Sequence, residues 1–339
     1  MTPLLRWLGQ VLVTLLVASF LIFTAMYLAP GDPATVLAGG ADNVSDRTLA
    51  AIRAEYHLDQ PFLVQYLLWL GDAAGGDLGR SFVYGQDVSS LIASRLGTTL
   101  WLALYAAVLT IVVGVLLGAL SAVRRGSLDS VVSAGTALLA GTPPFVAAAG
   151  LIAVFGVGLE WFPVTGAGDG FLGRLHHLTL PAVSLAVASL ATITRITRQS
   201  MADILMQDHV RVARTRGIPE RRVITRHVLR NAVGPIATMA GMITAGLLAG
   251  TVVVESVFGL SGVGSLLVNA INTKDFPVTQ AVLLCMVLAY VVTTGVTELV
   301  QQLADPRLRR AGNTRSGRAS ASAGDEHQAV APQDAGAVS

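Results

Sequence analysis

Six stretches of this 339-residue chain contain no Asp, Glu, Lys or Arg: 7–31, 96–123, 130–159, 175–194, 231–254 and 276–297. A helix needs about 20 mostly apolar residues to cross the hydrocarbon core of a bilayer, and each stretch meets that requirement. A further uncharged run, 256–273, is rich in Gly and Ser and follows directly on the fifth, so it reads as a loop or a re-entrant turn. Charged residues make up 13% of the chain and hydrophobic ones 53%, with a mean hydropathy of +0.63. A soluble domain carries about 25% charged residues. This balance argues against a soluble globular enzyme, a disordered scaffold or a nucleic-acid binder. The expected fold class is an all-α integral membrane protein with six transmembrane helices. The first run exceeds a signal-peptide core in length and shows no small-residue cleavage site before Pro30, so it is expected to remain as an anchor.

Arginine placement sets the expected orientation. Arg6 precedes the first run, Arg124 and Arg125 follow the second, and nine arginines stand between Arg195 and Arg230. Arg307, Arg309, Arg310, Arg315 and Arg318 follow the sixth run, whereas the segment between Gly31 and Leu96 has eight carboxylates against four arginines. Both termini are therefore expected in the cytoplasm. The organisation expected is a transmembrane helix over 1–30, an extracytoplasmic segment over 31–95, a five-helix core over 96–305 and a disordered cytoplasmic tail over 306–339. Within 31–95, Leu49, Ile52 and Tyr56 have helical spacing after Asp46, a candidate cap. Pro61 then opens a second short helix with Phe62, Tyr66 and Leu70 on one face.

The chain lacks the residues for several chemistries. A P-loop needs a Gly-Lys-Ser/Thr ending, but the sole lysine is Lys274, so ATP cannot be held by that motif. Cys285 is the only cysteine, which excludes a disulfide framework and a multi-cysteine metal site. His176 and His177 are adjacent, project about 100° apart on a helix, and make a poor metal pair, so an interfacial role is expected. No catalytic constellation is visible. Ionisable groups within the runs are scarce, with Glu255 and Glu298 near run ends. A central carboxylate costs about 2.5–3.5 kcal/mol of insertion energy. Glu255 is thus expected near the interface or paired, with water contact at the helix end as the simpler reading.

The segment between the fourth and fifth runs is the most informative. Met201, Ile204, Leu205 and Val212 fall on one side of a helical wheel. Gly217 is a natural left-handed stop, and Pro219 suits the first turn of a new helix. Val223, Ile224 and Val228 give that second helix an apolar face before Gly234-Pro235 ends it. Two amphipathic, arginine-rich helices joined by a glycine turn are thus expected on the cytoplasmic surface. An electrostatic attraction to anionic lipid would explain the charge, but the ordered stop, start and stripe favour a helix laid into a partner's groove.

Here the residues reach a family. Arg211, Ala213 and Gly217 match the spacing of the EAA loop of ABC-importer permeases, with Arg211 and Val212 standing where the founding members have Glu and Ala. The chain resembles, over nearly its whole length, the first permease subunit of the dipeptide/oligopeptide importers. The motifs that carry this, in order, begin with Ala29-Pro30-Gly31-Asp32-Pro33, Gly76-Asp77-Leu78-Gly79-Arg80-Ser81 and Trp161-Phe162-Pro163-Val164-Thr165-Gly166. Thr197-Arg198-Gln199-Ser200-Met201 and Arg226-His227-Val228-Leu229-Arg230-Asn231-Ala232 flank the loop, and Glu255-Ser256-Val257-Phe258 and Asp305-Pro306-Arg307 complete the series. Ser261 departs from the pattern, standing where the family usually has proline.

The resemblance implies a type I ABC-importer permease fold in a bacterial inner membrane. It also implies a second homologous permease, two ABC ATPase subunits that bind ATP and Mg, and an extracytoplasmic solute-binding protein. This chain would hold no cofactor itself; its other contact is membrane lipid, and no nucleic acid is implied. On this reading the coupling loop, about 201–235, meets an ATPase through Asp208, Arg211, Ala213, Gly217, Pro219, Arg221, Arg222, His227, Arg230, Asn231 and Pro235. Thr142, Pro143, Pro144 and Glu255 are candidates to line the path, the two prolines because they kink the third run. The substrate could be a dipeptide, an oligopeptide, a nickel chelate or glutathione. A stand-alone secondary transporter is the competing class, but it predicts inverted repeats and buried ionisable groups, and neither is visible in the sequence.

Overall fold

A computed structural model describes residues 3–28, 34–35, 46–55, 58–124 and 126–304. The Ala29–Pro33 and Asp305–Arg307 motifs and the 306–339 tail lie outside the described residues. The described residues are almost wholly helical. In chain order, α1 is Pro3–Leu28, α2 Asp46–Glu55, α3 Phe62–Ala74 and α4 Val88–Val123. Then come α5 (Ser127–Ala140), α6 (Pro144–Gly158), α7 (Gly170–Leu205) and α8 (Asp208–Thr215). The series ends with α9 (Glu220–Val257), α10 (Val263–Asn272) and α11 (Phe276–Ala304).

Five of these, α1, α4, α7, α9 and α11, have apolar stretches long enough to cross a membrane. The third expected span differs from the simple kink expected of it. Its two halves, α5 and α6, meet at 105°, and the pair counts as a sixth span only if it crosses as a broken one. The cause lies in the prolines. Pro143 drives the residue before it away from helical geometry, and Pro144 occupies the first turn of α6, where its missing N–H leaves no bond unmade. Two successive prolines therefore end one helix and start another.

The other spans overrun their apolar limits. α4 and α7 have 36 residues each; at 1.5 Å per residue that is about 54 Å, well beyond the roughly 30 Å hydrocarbon core. They form the most extensive helix pair of the fold. Gly114 and Gly118 allow this: a Cβ on Gly114 would lie 2.7 Å from Ile193 Cγ2, and one on Gly118 would lie 2.5 Å from the Thr194 carbonyl oxygen. Small residues four apart let two membrane helices touch backbone to backbone. On the opposite side of α4, Leu100, Leu104, Val108, Val112, Leu116 and Leu120 are all exposed, an apolar ridge that no water-facing helix would carry.

Three buried clusters run along the bundle. One lies midway and joins Leu102 and Ala106 of α4 with Leu178 and Leu185 of α7 and Leu247 of α9. A second, at one end, packs Val88, Leu91 and Ile92 of α4 on α10 and the start of α11. The third, at the arginine-rich end, is built from Met201, Ile204, Val210, Ala213, Val223 and Val228 with their neighbours. Outside this body, α1 leans on α11 through Trp7 against Gly295. α3 packs on α1 with the face expected from its spacing: Phe62 and Tyr66 meet Phe20, Phe23 and Tyr27 edge to face, and the Tyr66 hydroxyl lies 3.0 Å from Ser19 Oγ. α2 begins at Asp46, which is its first helical residue rather than the cap expected ahead of it, and Tyr56 lies outside the described residues.

Candidate functional site

The arginine-rich element forms at the end of α7. That helix stops at Leu205, and Gln207 turns into an extended conformation, with ψ 149°, before α8 begins. The break resets the helical phase and corrects the stripe read from sequence. Met201 and Ile204 are buried as expected, but Val212 is 46% exposed, and Val210 and Ala213 point inward instead.

α8 ends as a Schellman motif around Gly217, whose φ is +73°. The Gly217 N–H donates to the Arg214 carbonyl at 3.0 Å, and the Ile218 N–H donates to the Ala213 carbonyl at 3.3 Å. Ile218 and Ala213 both pack in the third buried cluster, the apolar contact that accompanies such a stop. Across the turn Arg214 donates to Glu220 through both Nε (3.1 Å) and Nη2 (2.6 Å). That hydrogen bonding holds the Arg214 guanidinium above and the Glu220 carboxyl below their ordinary values. Pro219, expected in the first turn of the next helix, is instead its cap residue, and the helix begins at Glu220.

The second helix does not end at Gly234-Pro235. It runs through Pro235 to Val257, so the turn and a membrane span are one continuous rod of 38 residues. Proline is tolerated there because the carbonyl it leaves unbonded, that of Asn231, belongs to an exposed residue that water can reach. Just before it, Val223–Leu229 is wound as a π-helix, and the Asn231 amide donates back to the His227 carbonyl at 2.7 Å.

The expected coupling residues thus divide by role. Ala213 is buried and His227 half-buried, with Val210, Val223 and Val228, under the element. Asp208, Arg211, Pro219, Arg221, Arg222, Arg230, Asn231 and Pro235 are exposed on it, and Gly217 forms its apex. Arg198 anchors the base through a fork on Asp129, Nε to Oδ1 at 2.6 Å and Nη2 to Oδ2 at 2.7 Å, and Ser121 of α4 donates to the same carboxylate. This three-helix tie has no sequence signature, because Arg198 lies 69 residues from Asp129 and Ser121 sits on a different helix from both.

The path candidates fare differently. Thr142 lines an apolar cavity of about 610 Å³ between α4, α6 and α7, together with Val113, Leu151 and Val187. Pro143 is exposed and Pro144 half-buried at the mouth of the bend. Glu255 is fully buried and faces no open path, so both the water contact and the lining role expected for it are replaced by pairing. Its Oε1 accepts from Thr99 Oγ1 at 2.6 Å, and its Oε2 accepts from the Ser265 N–H at 3.0 Å. A second buried carboxylate, Asp275, was missed. It accepts from Ser81 Oγ (2.5 Å) and the N–H groups of Phe82 (3.2 Å) and Val83 (3.3 Å). The available signal was an Asp followed by Phe-Pro at a helix start, the pattern of a capped helix. His176 and His177 face different carbonyls, those of Trp161 (3.0 Å) and Thr165 (3.2 Å), and tie the 160–169 loop to α7. The 256–273 run contains α10, a short helix packed between the start of α4 and the start of α11.

Comparison with known proteins agrees with this architecture. The family described as "binding-protein-dependent transport system inner membrane component" matches residues 114–310, and its N-terminal membrane component matches residues 1–103. A putative peptide transport system permease protein of Brucella abortus (strain 2308) is 39% identical over 310 residues, covering 90% of this chain and 98% of that protein. The oligopeptide transport system permease protein AppB of Bacillus subtilis (strain 168) is 37% identical over 301 residues, covering 87% and 95%. Among solved structures, the MetNI methionine ABC transporter in inward-facing conformations aligns with a TM-score of 0.54 at 17% identity, over 63% of this chain and 96% of that one. That likeness establishes the fold, a type I ABC-importer permease. With matching motifs, apolar helices and fold, this chain belongs to the family of binding-protein-dependent transport-system inner-membrane components, as a multi-pass permease.

Proposed function

We propose that this chain is a permease subunit of an ATP-driven peptide importer, forming the translocation path with a second homologous permease. Two ABC ATPases bind the ATP and Mg and dock on the exposed face of α8 and the Gly217 turn. An extracytoplasmic binding protein delivers the substrate at the opposite end, and both termini lie in the cytoplasm. The observation that carries the reading is the Gly217 turn: an exposed arginine surface on a buried apolar footing, continuous through α9 with a membrane span. A partner that moves the turn thereby moves the span. The names of the relatives favour peptides, dipeptides or oligopeptides, over a nickel chelate or glutathione. The lack of a P-loop in the chain fits an external energy source, and a secondary transporter working alone has no use for such a docking surface.

The test is charge reversal on the docking face. Arg211→Glu with Arg222→Glu should lower ATPase co-purification and ATP-dependent uptake of labelled di- and tetrapeptides about tenfold, since charges facing a partner set association strongly. The paired exposed substitutions Arg47→Glu and Arg53→Glu on α2 serve as the control. Wild-type ATPase content and uptake in the first variant would show that this face does not couple the chain to ATP.

A further inference from the structure

α10 is held at both ends by carboxylates from outside it. At 10 residues it is about 15 Å long, too short to cross a bilayer. The N–H groups of its first turn have no partners within the helix and lie in a buried setting, where an unpaired donor is expensive. They are met from neighbouring helices. The Val263 N–H donates to Thr99 Oγ1 of α4 at 2.8 Å, and the Thr99 hydroxyl donates on to Glu255 of α9. The Ser265 N–H donates to the same carboxylate, so Glu255 caps a helix to which it does not belong. Gly262 and Gly264 make room for it: a Cβ on Gly262 would lie 2.2 Å from the Glu255 carboxylate, and one on Gly264 would lie 2.9 Å from Oε2.

At the other end, Lys274 turns with φ +56°, and the Asp275 N–H bonds back to the Ala270 carbonyl at 2.8 Å. The Asp275 side chain then takes the hydroxyl of Ser81 and the N–H groups of Phe82 and Val83, in the loop that leads into α4. One attachment therefore reaches α4 itself and the other reaches the loop that leads into it. Thr99 lies 11 residues after Val88, about 16 Å along α4, and α10 is about as long. α10 runs antiparallel to the first three turns of α4, with Leu91 and Ile92 packed in one cluster with Leu266 and Leu267. A single attachment would leave a pivot; two, with apolar packing between them, fix position and rotation together.

Glu255 is also the far end of α9, the rod that starts at the arginine-rich turn. We propose that Thr99, Glu255 and Asp275 are positioning residues of transport, joining α9 to α10 and α4 so that movement of the turn is passed to the opposite end as one rigid block. The proposal rests on the importer reading. It assigns these groups the linkage between ATP hydrolysis and opening, without contact with substrate or nucleotide.

The test uses the full complex of both permeases, ATPases and binding protein in proteoliposomes, with ATP hydrolysis and peptide uptake measured per assembled complex. Thr99→Val removes the bridge while keeping the volume. It should lower uptake about tenfold and leave hydrolysis within about twofold, the scale expected for a lost bond to a buried charge. Thr99→Ser, which keeps the hydroxyl, should retain both activities. Unchanged uptake in Thr99→Val, or an equal fall in uptake and hydrolysis, overturns the proposal.

A second variant covers failure of Thr99→Val to assemble. Thr99→Cys with Val263→Cys, in a Cys285→Ala background, is compared before and after bridging with a short bifunctional thiol reagent. Bridging should restore uptake per ATP hydrolysed, because a covalent link replaces the hydrogen bonds. Loss of uptake on bridging would mean that α10 must leave α4, and would overturn the rigid block. Absence of ATP-driven uptake in the wild-type complex would instead overturn the importer reading beneath it.

Discussion

Gly264→Ala is expected to destabilise the protein by about 1–3 kcal/mol, the usual range for forcing atoms into a filled interior. The new Cβ would stand 2.5 Å from the Val252 Cα and 2.9 Å from the Val252 nitrogen, so the obstacle is backbone and cannot rotate away. Either α9 or α10 must shift, and any shift lengthens the bonds from Thr99 and Ser265 to Glu255. Loss of those bonds leaves a buried carboxylate short of partners, which adds to the effect. Thermal unfolding of the solubilised complex measures it. Gly246→Ala provides the contrast: it lies within the same α9, a Cβ there would meet nothing within 4 Å, and alanine should raise helix stability by about 0.5–1 kcal/mol. A Gly264→Ala protein that melts with the wild type would show that the α9–α10 contact has room for a methyl group despite the 2.5 Å approach.

Gly217→Pro should abolish ATPase association and bring peptide uptake below about a tenth of wild type, as a broken turn removes the docking geometry altogether. Proline requires a φ near −65°, against the observed +73°, and it lacks the N–H that donates to the Arg214 carbonyl. Smaller changes should grade. Gly217→Ala meets no steric obstacle within 4 Å, so its cost is purely that of the left-handed backbone, about 1–2 kcal/mol. Gly217→Asn should be milder still, because Asn visits that conformation more readily. Pull-down of the ATPases followed by uptake assays would rank the series. A Gly217→Pro chain that still holds ATPases and transports normally would separate the turn from coupling.

Much of the architecture was legible in the linear chain. Charge-free runs located the crossing segments, since the hydrocarbon core excludes charge wherever the rest of the chain goes. Gly217 announced its turn because only a residue without Cβ adopts that conformation cheaply. Phe62 and Tyr66 gave the inward face of α3 correctly because no break interrupts the helical phase between them, and Trp69 joins them against Phe23. The same reasoning failed at Val212, where the extended Gln207 restarts the helix and Val210 and Ala213 take the buried positions. It failed again at Pro235, where a proline expected to stop a helix is carried through. In both places the outcome depends on neighbours and solvent, which a local pattern does not contain.

By itself, the sequence determined that this protein lives in a membrane, where its charges gather, that it carries no P-loop, and which family its motifs resemble. These are properties of composition and short spacing, and they survive any arrangement of the helices. Only the tertiary structure decided what Glu255 and Asp275 do. Their partners, Thr99 and Ser81, lie 156 and 194 residues away along the chain. A carboxylate at the end of an apolar run looks the same whether it meets water or caps a foreign helix. The difference is set by which donors the packed bundle brings within hydrogen-bond reach, since a buried charge is stable only where such donors converge.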